Sequence, residues 1–228
     1  MPNQASAATT AVIEAQELNK AYGETVAVRD LSFSVRSGKV LGLLGPNGAG
    51  KTTTINMLTT LIPIDSGSAK VAGFDVQSEP HGVRQVIGLA GQTAAVDEKL
   101  TARENLRLFG RFYKMPRAQL DARIEELVSE FRMTDFADRV AETYSGGERR
   151  RLDVVAALVA NPPALFLDEP TTGLDPRSRV ELWEAISRLA AAGTAIVLTT
   201  QYLEEADRLA DEIVLIDEGS AVARGTPE

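Results

Sequence analysis

The spacing of apolar and polar positions changes several times along the chain. LSFSV at 31–35 alternates with a period of two, which is typical of a strand with one buried face. The run VLGLLG at 40–45 is almost entirely apolar, as in a central strand covered on both sides. A Gly-rich loop follows, and the pattern then predicts a helix to about Leu61. Further strands are predicted at SAKVAG (68–73) and VIGLAG (86–91).

A helical region separates two strand-rich parts of the chain. Between Thr101 and Phe131 the apolar residues recur at three- and four-residue spacing, which predicts helices. From Ala164 onwards, strands and helices alternate again. The predicted strands are ALFLD, TAIVLTT, EIVLID and AVARG, and the predicted helices begin at Pro176 and at YLEEADRLA. This alternation favours a mostly parallel sheet with covered faces, and the helical region predicts a subdomain at about 93–159, inserted in the core.

Composition and charge narrow the class of protein. The 228 residues suit one large domain with an inserted subdomain, and they include no Cys. A net charge of −8 argues against an extended basic surface that would bind nucleic acid, so we expect no nucleic-acid partner. No segment reaches the roughly 18 apolar residues that span a bilayer. Residues 1–10 read as a disordered tail and not as a secretory signal.

The segment GPNGAGKTT at 45–53 carries the first candidate chemistry. It follows a predicted buried strand and opens a helix, as the motif G-x-x-x-x-G-K-[ST] requires. Lys51 would contact the β- and γ-phosphates, and the Thr52 hydroxyl can ligate Mg²⁺. An alternative is a Gly-rich turn with an incidental lysine. The predicted nucleotide-binding residues are Gly45, Pro46, Asn47, Gly48, Ala49, Gly50, Lys51, Thr52 and Thr53.

Two carboxylates follow the apolar strand ALFLD. Asp168 would emerge at the carboxyl end of this strand, where ligands bind in open α/β sheets, and would hold Mg²⁺ through water. Glu169 can orient or deprotonate a water that attacks the γ-phosphorus. The alternative is that Asp-Glu-Pro only starts a turn, but the phosphate loop in the same chain favours the catalytic interpretation.

A second anion site is predicted at YSGGERRRLDVVAAL (144–158). Ser-Gly-Gly opens a helix there, and a hydroxyl with two glycine N–H groups at a helix start can bind an anion. An ordinary serine N-cap is the alternative. One nucleotide does not need two such helix starts from one chain. Two chains packed head-to-tail would use both.

These motifs occur in the order of a known family. KAYG, the phosphate loop, LAGQ, YSGGE, LFLDE, TGLDP and a polar residue after the strand AIVLTT follow one another. The chain resembles the ATP-binding cassette of ABC transporters over residues 11–228. Three segments resemble the daunorubicin-resistance type of drug-exporter cassette in sequence, namely AGQTAAVDEKL, TYSGGERRRLD and LTTQYLEEADRLADEI. The resemblance implies an α/β fold of the P-loop NTPase (RecA-like) kind, with a mostly parallel core sheet, an N-terminal antiparallel β subdomain and the inserted α-helical subdomain.

The resemblance also implies roles for individual residues. Tyr22 would stack on adenine, although a Tyr before Gly is more often a turn residue. Gln92 would approach Mg²⁺ and the attacking water. Three residues of YSGGE would bind the γ-phosphate across the dimer, namely Ser145, Gly146 and Gly147. Asp175 in GLDP would lie at the dimer seam and couple the two sites.

Two positions depart from the family pattern. Glu148 stands where glutamine is usual, and a carboxylate aimed at a triphosphate would be repelled, so we expect it to turn away towards Arg149–Arg151. Those arginines could also be read as a nucleic-acid patch, which the net charge does not favour. Gln201 stands where the family has histidine. Its amide can contact the γ-phosphate and the water but cannot take up a proton near neutral pH, which leaves Glu169 as the better base. The alternative for Gln201 is a helix cap.

The function implied by the resemblance is that of an ATPase motor subunit. Two copies would form an ATP-dependent homodimer around two Mg²⁺-ATP, at the cytoplasmic face of the membrane. A separate integral membrane permease would export a drug-like or amphipathic compound. One alternative is a soluble cassette ATPase that acts on ribosomes or DNA. Another is a small-molecule kinase, which leaves YSGGE and TGLDP unexplained.

Overall fold

The computed structural model describes residues 11–92 and 95–227, so the predicted tail at 1–10 lies outside the described residues. The strands are β1 (Ala11–Tyr22), β2 (Thr25–Arg36), β3 (Val40–Leu44), β4 (Ser66–Val71), β5 (Phe74–Asp75), β6 (Ile87–Ala90), β7 (Ala164–Asp168), β8 (Ala195–Thr200), β9 (Glu212–Asp217) and β10 (Ser220–Gly225). The helices are α1 (Lys51–Leu58), α2 (Pro80–Val86), α3 (Ala102–Phe112), α4 (Arg117–Glu130), α5 (Gly146–Ala157), α6 (Pro176–Ala191) and α7 (Leu203–Leu209). A short 3₁₀ helix spans Ala141–Thr143.

The first sheet is antiparallel, with the strand order β2-β1-β4-β5. Its long hairpin of β1 and β2 turns at Gly23, whose φ of +61° suits glycine. Alternate residues of both strands are buried, among them Ile13, Leu31 and Phe33. They pack in one core with the apolar side of α1. The antiparallel β subdomain implied by the resemblance is therefore confirmed.

The second sheet forms the core, in the order β10-β9-β3-β8-β7-β6. All neighbouring pairs are parallel except β10 with β9. Strands β7 and β8 are buried at every position, which explains their nearly unbroken apolar runs. The predicted fold class is confirmed. Because β3, β8, β7 and β6 are consecutive neighbours, the loops after their carboxyl ends meet at one edge of the sheet.

Helices α3, α4 and α5 lie between β6 and β7, in the region that the sequence predicts as a helical subdomain. Helix α3 begins with a reciprocal capping box between Thr101 and Glu104. Leu106, Ile124 and Leu152 are fully buried and belong to one core cluster, so the three helices share a packed interior. The same cluster includes residues of β7 and β8, which continues this interior into the core sheet.

Two local predictions were wrong. Helix α1 ends at Leu58 and not near Leu61, since the chain turns through Thr60 at a φ of +63°. The strand predicted at 86–91 begins one residue too early, since Val86 is the last residue of helix α2. A Cβ on Gly82 would lie 2.4 Å from the Phe74 ring, so α2 packs closely against β5. The spacing of apolar residues in the sequence does not indicate this contact.

Candidate nucleotide-binding site

A polar cleft of about 440 Å³ opens at the start of α1. It brings the phosphate loop together with residues that are distant in the sequence. Its lining residues are Ala27, Asn47, Gly48, Gly50, Lys51, Thr52, Thr53, Gln92 and Glu169. A cleft of this size suits a small ligand, and the Gly-rich lining lets the backbone approach that ligand closely.

The phosphate loop is tightly curled between the two sheets. A Cβ on Gly45 would lie 2.2 Å from the carbonyl oxygen of Ile216, and one on Gly50 would lie 2.2 Å from that of Ala27. Gly50 also has a φ of +104° and is the N-cap of α1, without a side-chain cap. The first turn of α1 contains no acidic residue. Its free N–H groups and positive dipole end therefore favour an anion.

Lys51 lies inside this loop. Its Nζ donates to the carbonyl oxygens of Gly45 and Pro46 at 2.9 and 3.0 Å, and it lies 3.5 Å from Oε1 of Glu169. The Lys51 and Glu169 side chains are only 4% and 12% exposed. A phosphate that enters the loop would therefore compete with Glu169 for the ammonium group.

Four polar side chains converge beside the loop. The Thr52 hydroxyl donates to Oδ1 of Asp168 at 3.2 Å, and Nε2 of Gln92 donates to the Thr52 hydroxyl at 3.2 Å. The buried Thr199 hydroxyl donates to the same Asp168 oxygen at 2.5 Å. A carboxylate and a hydroxyl held at this spacing are ligands that Mg²⁺ accepts, so the residues fit this ion. The amide nitrogen of Gln92 faces Thr52, so Gln92 would have to turn its amide over to act as a ligand.

Glu169 is held at a strained position. Its φ is +49°, which a non-glycine residue adopts only when its surroundings fix it. Its N–H donates to the hydroxyl and the carbonyl oxygen of Thr199, at 3.0 and 3.2 Å. The Thr172 hydroxyl donates to Oε2 of Glu169 at 3.3 Å. The carboxylate is thereby aimed into the cleft beside Lys51.

The residues predicted to act across a dimer lie elsewhere on the surface. Ser145 and Gly146 are exposed at the start of α5, and Asp175 is exposed at the start of α6. The two helix starts are adjacent, since a Cβ on Gly147 would lie 2.8 Å from the hydroxyl of Ser178. Asp175 accepts hydrogen bonds from the hydroxyl and N–H of Ser178, which lower the pKa of Asp175. None of these residues lines the cleft.

Gln201 follows β8, which lies between β3 and β7. Thr200 precedes it and accepts a hydrogen bond from the N–H of Gly45 at 3.2 Å. The backbone of Gln201 therefore lies between the start of the phosphate loop and Glu169, but Gln201 is not among the residues that line the cleft. The N-cap of α7 is Tyr202, and the helix has no side-chain cap, so Gln201 does not cap it.

Tyr22 closes β1, directly before the turn at Gly23, and is 52% exposed. Lys20 Nζ lies 5.7 Å from the centre of its ring. Tyr22 is not among the residues that line the cleft, which reaches this sheet at Ala27. About half of the Tyr22 surface is thus exposed at the end of the hairpin, with the Lys20 ammonium over the ring.

Comparison with known proteins assigns the chain to a family. The model of a family described as ABC transporter matches residues 28–172. The chain belongs to the ABC transporter family. The match includes the phosphate loop and the acidic pair, and the chain is an ATPase cassette of this family.

Individual relatives narrow the type of cassette. The daunorubicin resistance ATP-binding protein DrrA2 of Streptomyces coeruleorubidus is 53% identical, over 95% of this chain and 67% of the relative. The daunorubicin/doxorubicin resistance ATP-binding protein DrrA of Streptomyces peucetius is also 53% identical, over 95% of this chain and 66% of the relative. The predicted resemblance to this type is confirmed. The cassette spans about two thirds of the length of these relatives.

The fold is also that of a solved cassette. A structure described as the ATP binding subunit of an ABC transporter superposes with a TM-score of 0.85 at 31% identity. The match covers 94% of this chain and 90% of the other. The two-sheet architecture is therefore shared over almost the whole cassette.

The expected partners of Glu148 in the cassette were wrong. Its carboxylate accepts from the N–H of Ser145 at 2.7 Å and pairs with Arg139 at 3.4 Å, not with Arg149–Arg151. Burial alone would raise the pKa of Glu148, but the hydrogen bond from Ser145 and the charge of Arg139 outweigh it and lower the pKa. Glu148 thus completes a capping box at the second predicted phosphate site.

Two functional candidates were missed in the sequence. Thr199 holds both members of the acidic pair, but its hydroxyl lies in an apolar run that predicts only a strand. Arg150 was considered only together with its neighbours, as a partner of Glu148 or as part of a basic patch, yet each of the three arginines pairs with a different carboxylate of the chain. Their acidic partners are Glu98 for Arg149, Asp153 for Arg150 and Glu181 for Arg151. A polar residue at the end of a buried strand was the signal available for Thr199.

Proposed function

We propose that this cassette is the ATP-hydrolysing motor subunit of a drug exporter, and that two copies enclose two Mg²⁺-ATP head-to-tail. The observation that carries the proposal is the separation, on one chain, of two surfaces that are each predicted to bind phosphate. The cleft at the phosphate loop is one surface, and the exposed start of α5 is the other. A nucleotide in the cleft of one copy would be completed by the second surface of its partner.

Within the cleft, each residue has a distinct task. Lys51 and the N–H groups at the start of α1 bind the β- and γ-phosphates. Thr52, Asp168 and Gln92 would hold Mg²⁺, which neutralises phosphate charge that develops during transfer. Glu169 takes a proton from the attacking water. Gln201 donates to the γ-phosphate, and Tyr22 stacks on adenine.

The dimer closes because both copies contact the same γ-phosphate. Ser145, Gly146 and Gly147 offer a hydroxyl and N–H groups to the nucleotide of the partner, and Asp175 lies at the seam. Two identical surfaces related by a two-fold axis form a closed assembly with two sites. Hydrolysis removes the shared phosphate, and the dimer opens.

Transport requires a partner in the membrane. No helix within 11–92 or 95–227 is both long and apolar enough to cross a bilayer. The relatives are named for resistance to daunorubicin and doxorubicin. We propose that the helical subdomain at about 93–159 transmits dimer closure to a separate permease, and that this permease exports an amphipathic compound. The cassette would then lie at the cytoplasmic face of the membrane.

Two sets of measurements, one on the purified cassette and one on its membrane partner, test the proposed function. The purified cassette should release phosphate from ATP without an acceptor, which a small-molecule kinase would need, and should dimerise with ATP in light scattering. The second set begins with affinity capture from native membranes. A membrane subunit in the capture, and ATPase stimulated by a transported compound in reconstituted vesicles, would support the exporter. Capture of ribosomes or DNA in place of a membrane subunit would overturn it.

A further inference from the structure

Arg150 is a largely buried arginine that the proposed chemistry does not use. It lies on α5, and its guanidinium reaches two loops of the cleft. Nε donates to the carbonyl oxygen of Pro170 and Nη2 to that of Asp168, both at 2.8 Å. Nη1 donates to the carbonyl oxygen of Gly91 and to Oδ2 of Asp153, the latter at 3.2 Å.

The first two carbonyl groups lie on either side of Glu169. This residue has the strained φ of +49°, and such a conformation persists only where neighbouring groups determine it. Arg150 holds the carbonyl oxygen of the residue before Glu169 and that of the residue after it. A planar guanidinium with several fixed donors suits this geometry, which a lysine ammonium does not reproduce.

The other contacts hold the loop of Gln92. Gly91 directly precedes Gln92, and its carbonyl oxygen accepts from Arg150. Asp153, which is 2% exposed, accepts from the N–H of Ala95 at 2.9 Å on the far side of this loop. Burial raises the pKa of Asp153 and lowers that of Arg150, and their opposite charges counter these shifts only in part. The buried pair thus attaches α5 to both ends of the loop.

We propose that Arg150 is a positioning residue that holds Glu169 and Gln92 in the geometry of hydrolysis. The inference rests on the ATPase function proposed above. Ser145 caps the same helix, so Arg150 also links the cassette's own cleft to the surface that the partner's nucleotide would meet. A movement of α5 would then move both sites together.

The test compares Arg150→Met, Arg150→Lys and the double variant Arg150→Met/Asp153→Asn with the parent. We expect kcat to fall roughly 10- to 100-fold in Arg150→Met, because misplacing a catalytic group by about 1 Å costs on the order of 100-fold. KM for ATP should stay within about threefold, since no atom of Arg150 contacts the phosphate loop. Arg150→Lys should recover part of kcat, as it retains a charge and rotatable donors.

The double variant and a control separate positioning from stability. Arg150→Met leaves Asp153 as an unpaired buried charge, which alone can unfold a protein, whereas the double variant removes both charges. Arg151→Gln is the matched control, since Arg151 is the next residue of α5 and pairs with Glu181, away from the cleft. We expect this control to lose thermal stability but to keep the parental kcat.

Four outcomes would overturn the inference. They are an unchanged kcat in Arg150→Met, a double variant that regains the parental kcat, a fall of KM in parallel with kcat in Arg150→Met, and an Arg151→Gln variant with the same loss of kcat. If the parent protein does not hydrolyse ATP, both the proposed function and the role of Arg150 are rejected. If the parent hydrolyses ATP and Arg150→Met has the same kcat, only the role of Arg150 is rejected.

Discussion

Replacing Glu169 by glutamine should change catalysis and ATP binding in opposite directions. The carboxylate lies 3.5 Å from the Lys51 ammonium, and both side chains are nearly buried. At an effective dielectric constant of about 20, this distance corresponds to a gross attraction of about 5 kcal/mol. Desolvation of the freed ammonium offsets most of it. We expect a net gain of about 1–2 kcal/mol in ATP affinity, or roughly 5- to 30-fold.

Turnover should fall far more than affinity rises. A general base contributes about 10²- to 10⁴-fold, so Glu169→Gln should slow hydrolysis by at least about 100-fold. Glutamine is isosteric with glutamate and can still accept from the Thr172 hydroxyl, so the fold should be unchanged. ATP that binds tightly and is not hydrolysed should hold the dimer closed.

Three assays measure this prediction: phosphate release, equilibrium titration with a fluorescent ATP analogue, and light scattering with ATP and Mg²⁺. Glu125→Gln is the control, since Glu125 is an exposed carboxylate that pairs with Arg103. We expect it to behave like the parent in all three assays. Parental turnover in Glu169→Gln would refute the assignment of the base. Weaker ATP binding would refute the electrostatic argument, and a monomer with ATP would refute the shared site.

Three further predictions concern other parts of the cassette. Gly50→Ala should destabilise the fold by about 1–3 kcal/mol more than Gly48→Ala in urea denaturation. Both glycines have a positive φ, but only a Cβ at position 50 would clash with a backbone carbonyl group. Gln201→His should add a pH dependence of turnover near about 6–7 when compared with the parent, whereas an unchanged profile would place residue 201 outside the site. The hydrogen bond from Lys20 lowers the pKa of Asp65. The stability that this pair contributes is therefore present above the ordinary carboxyl pKa of about 3.9, and it is lost as the pH falls through the lowered pKa. Asp65→Asn should therefore flatten the acid side of the stability curve, and an unchanged acid limb in denaturation at pH 2–7 would contradict this.

Local motifs were sufficient for much of the cleft. The phosphate loop and the acidic pair were predicted because each depends on neighbouring residues: glycines that allow a tight turn, a helix start, and carboxylates at a strand end. The alternation of strands and helices was predicted by periodicity for the same reason. Where periodicity was weak, as at α2, no helix bounds were predicted, since the contact of Gly82 with Phe74 is not periodic.

What only the tertiary structure decided depends on contacts between distant segments. The order β3-β8-β7-β6 places Gln92, Glu169 and Gln201 at one edge of the sheet, although more than a hundred positions separate the first from the last. The same order brings Thr199 to Asp168 and lets α5 present Arg150 to the backbone on both sides of Glu169. Hydrogen-bond partners of this kind are set by which strands pair. Sequence motifs therefore determined which groups the cassette carries, and the fold decided which of them hold one another in place.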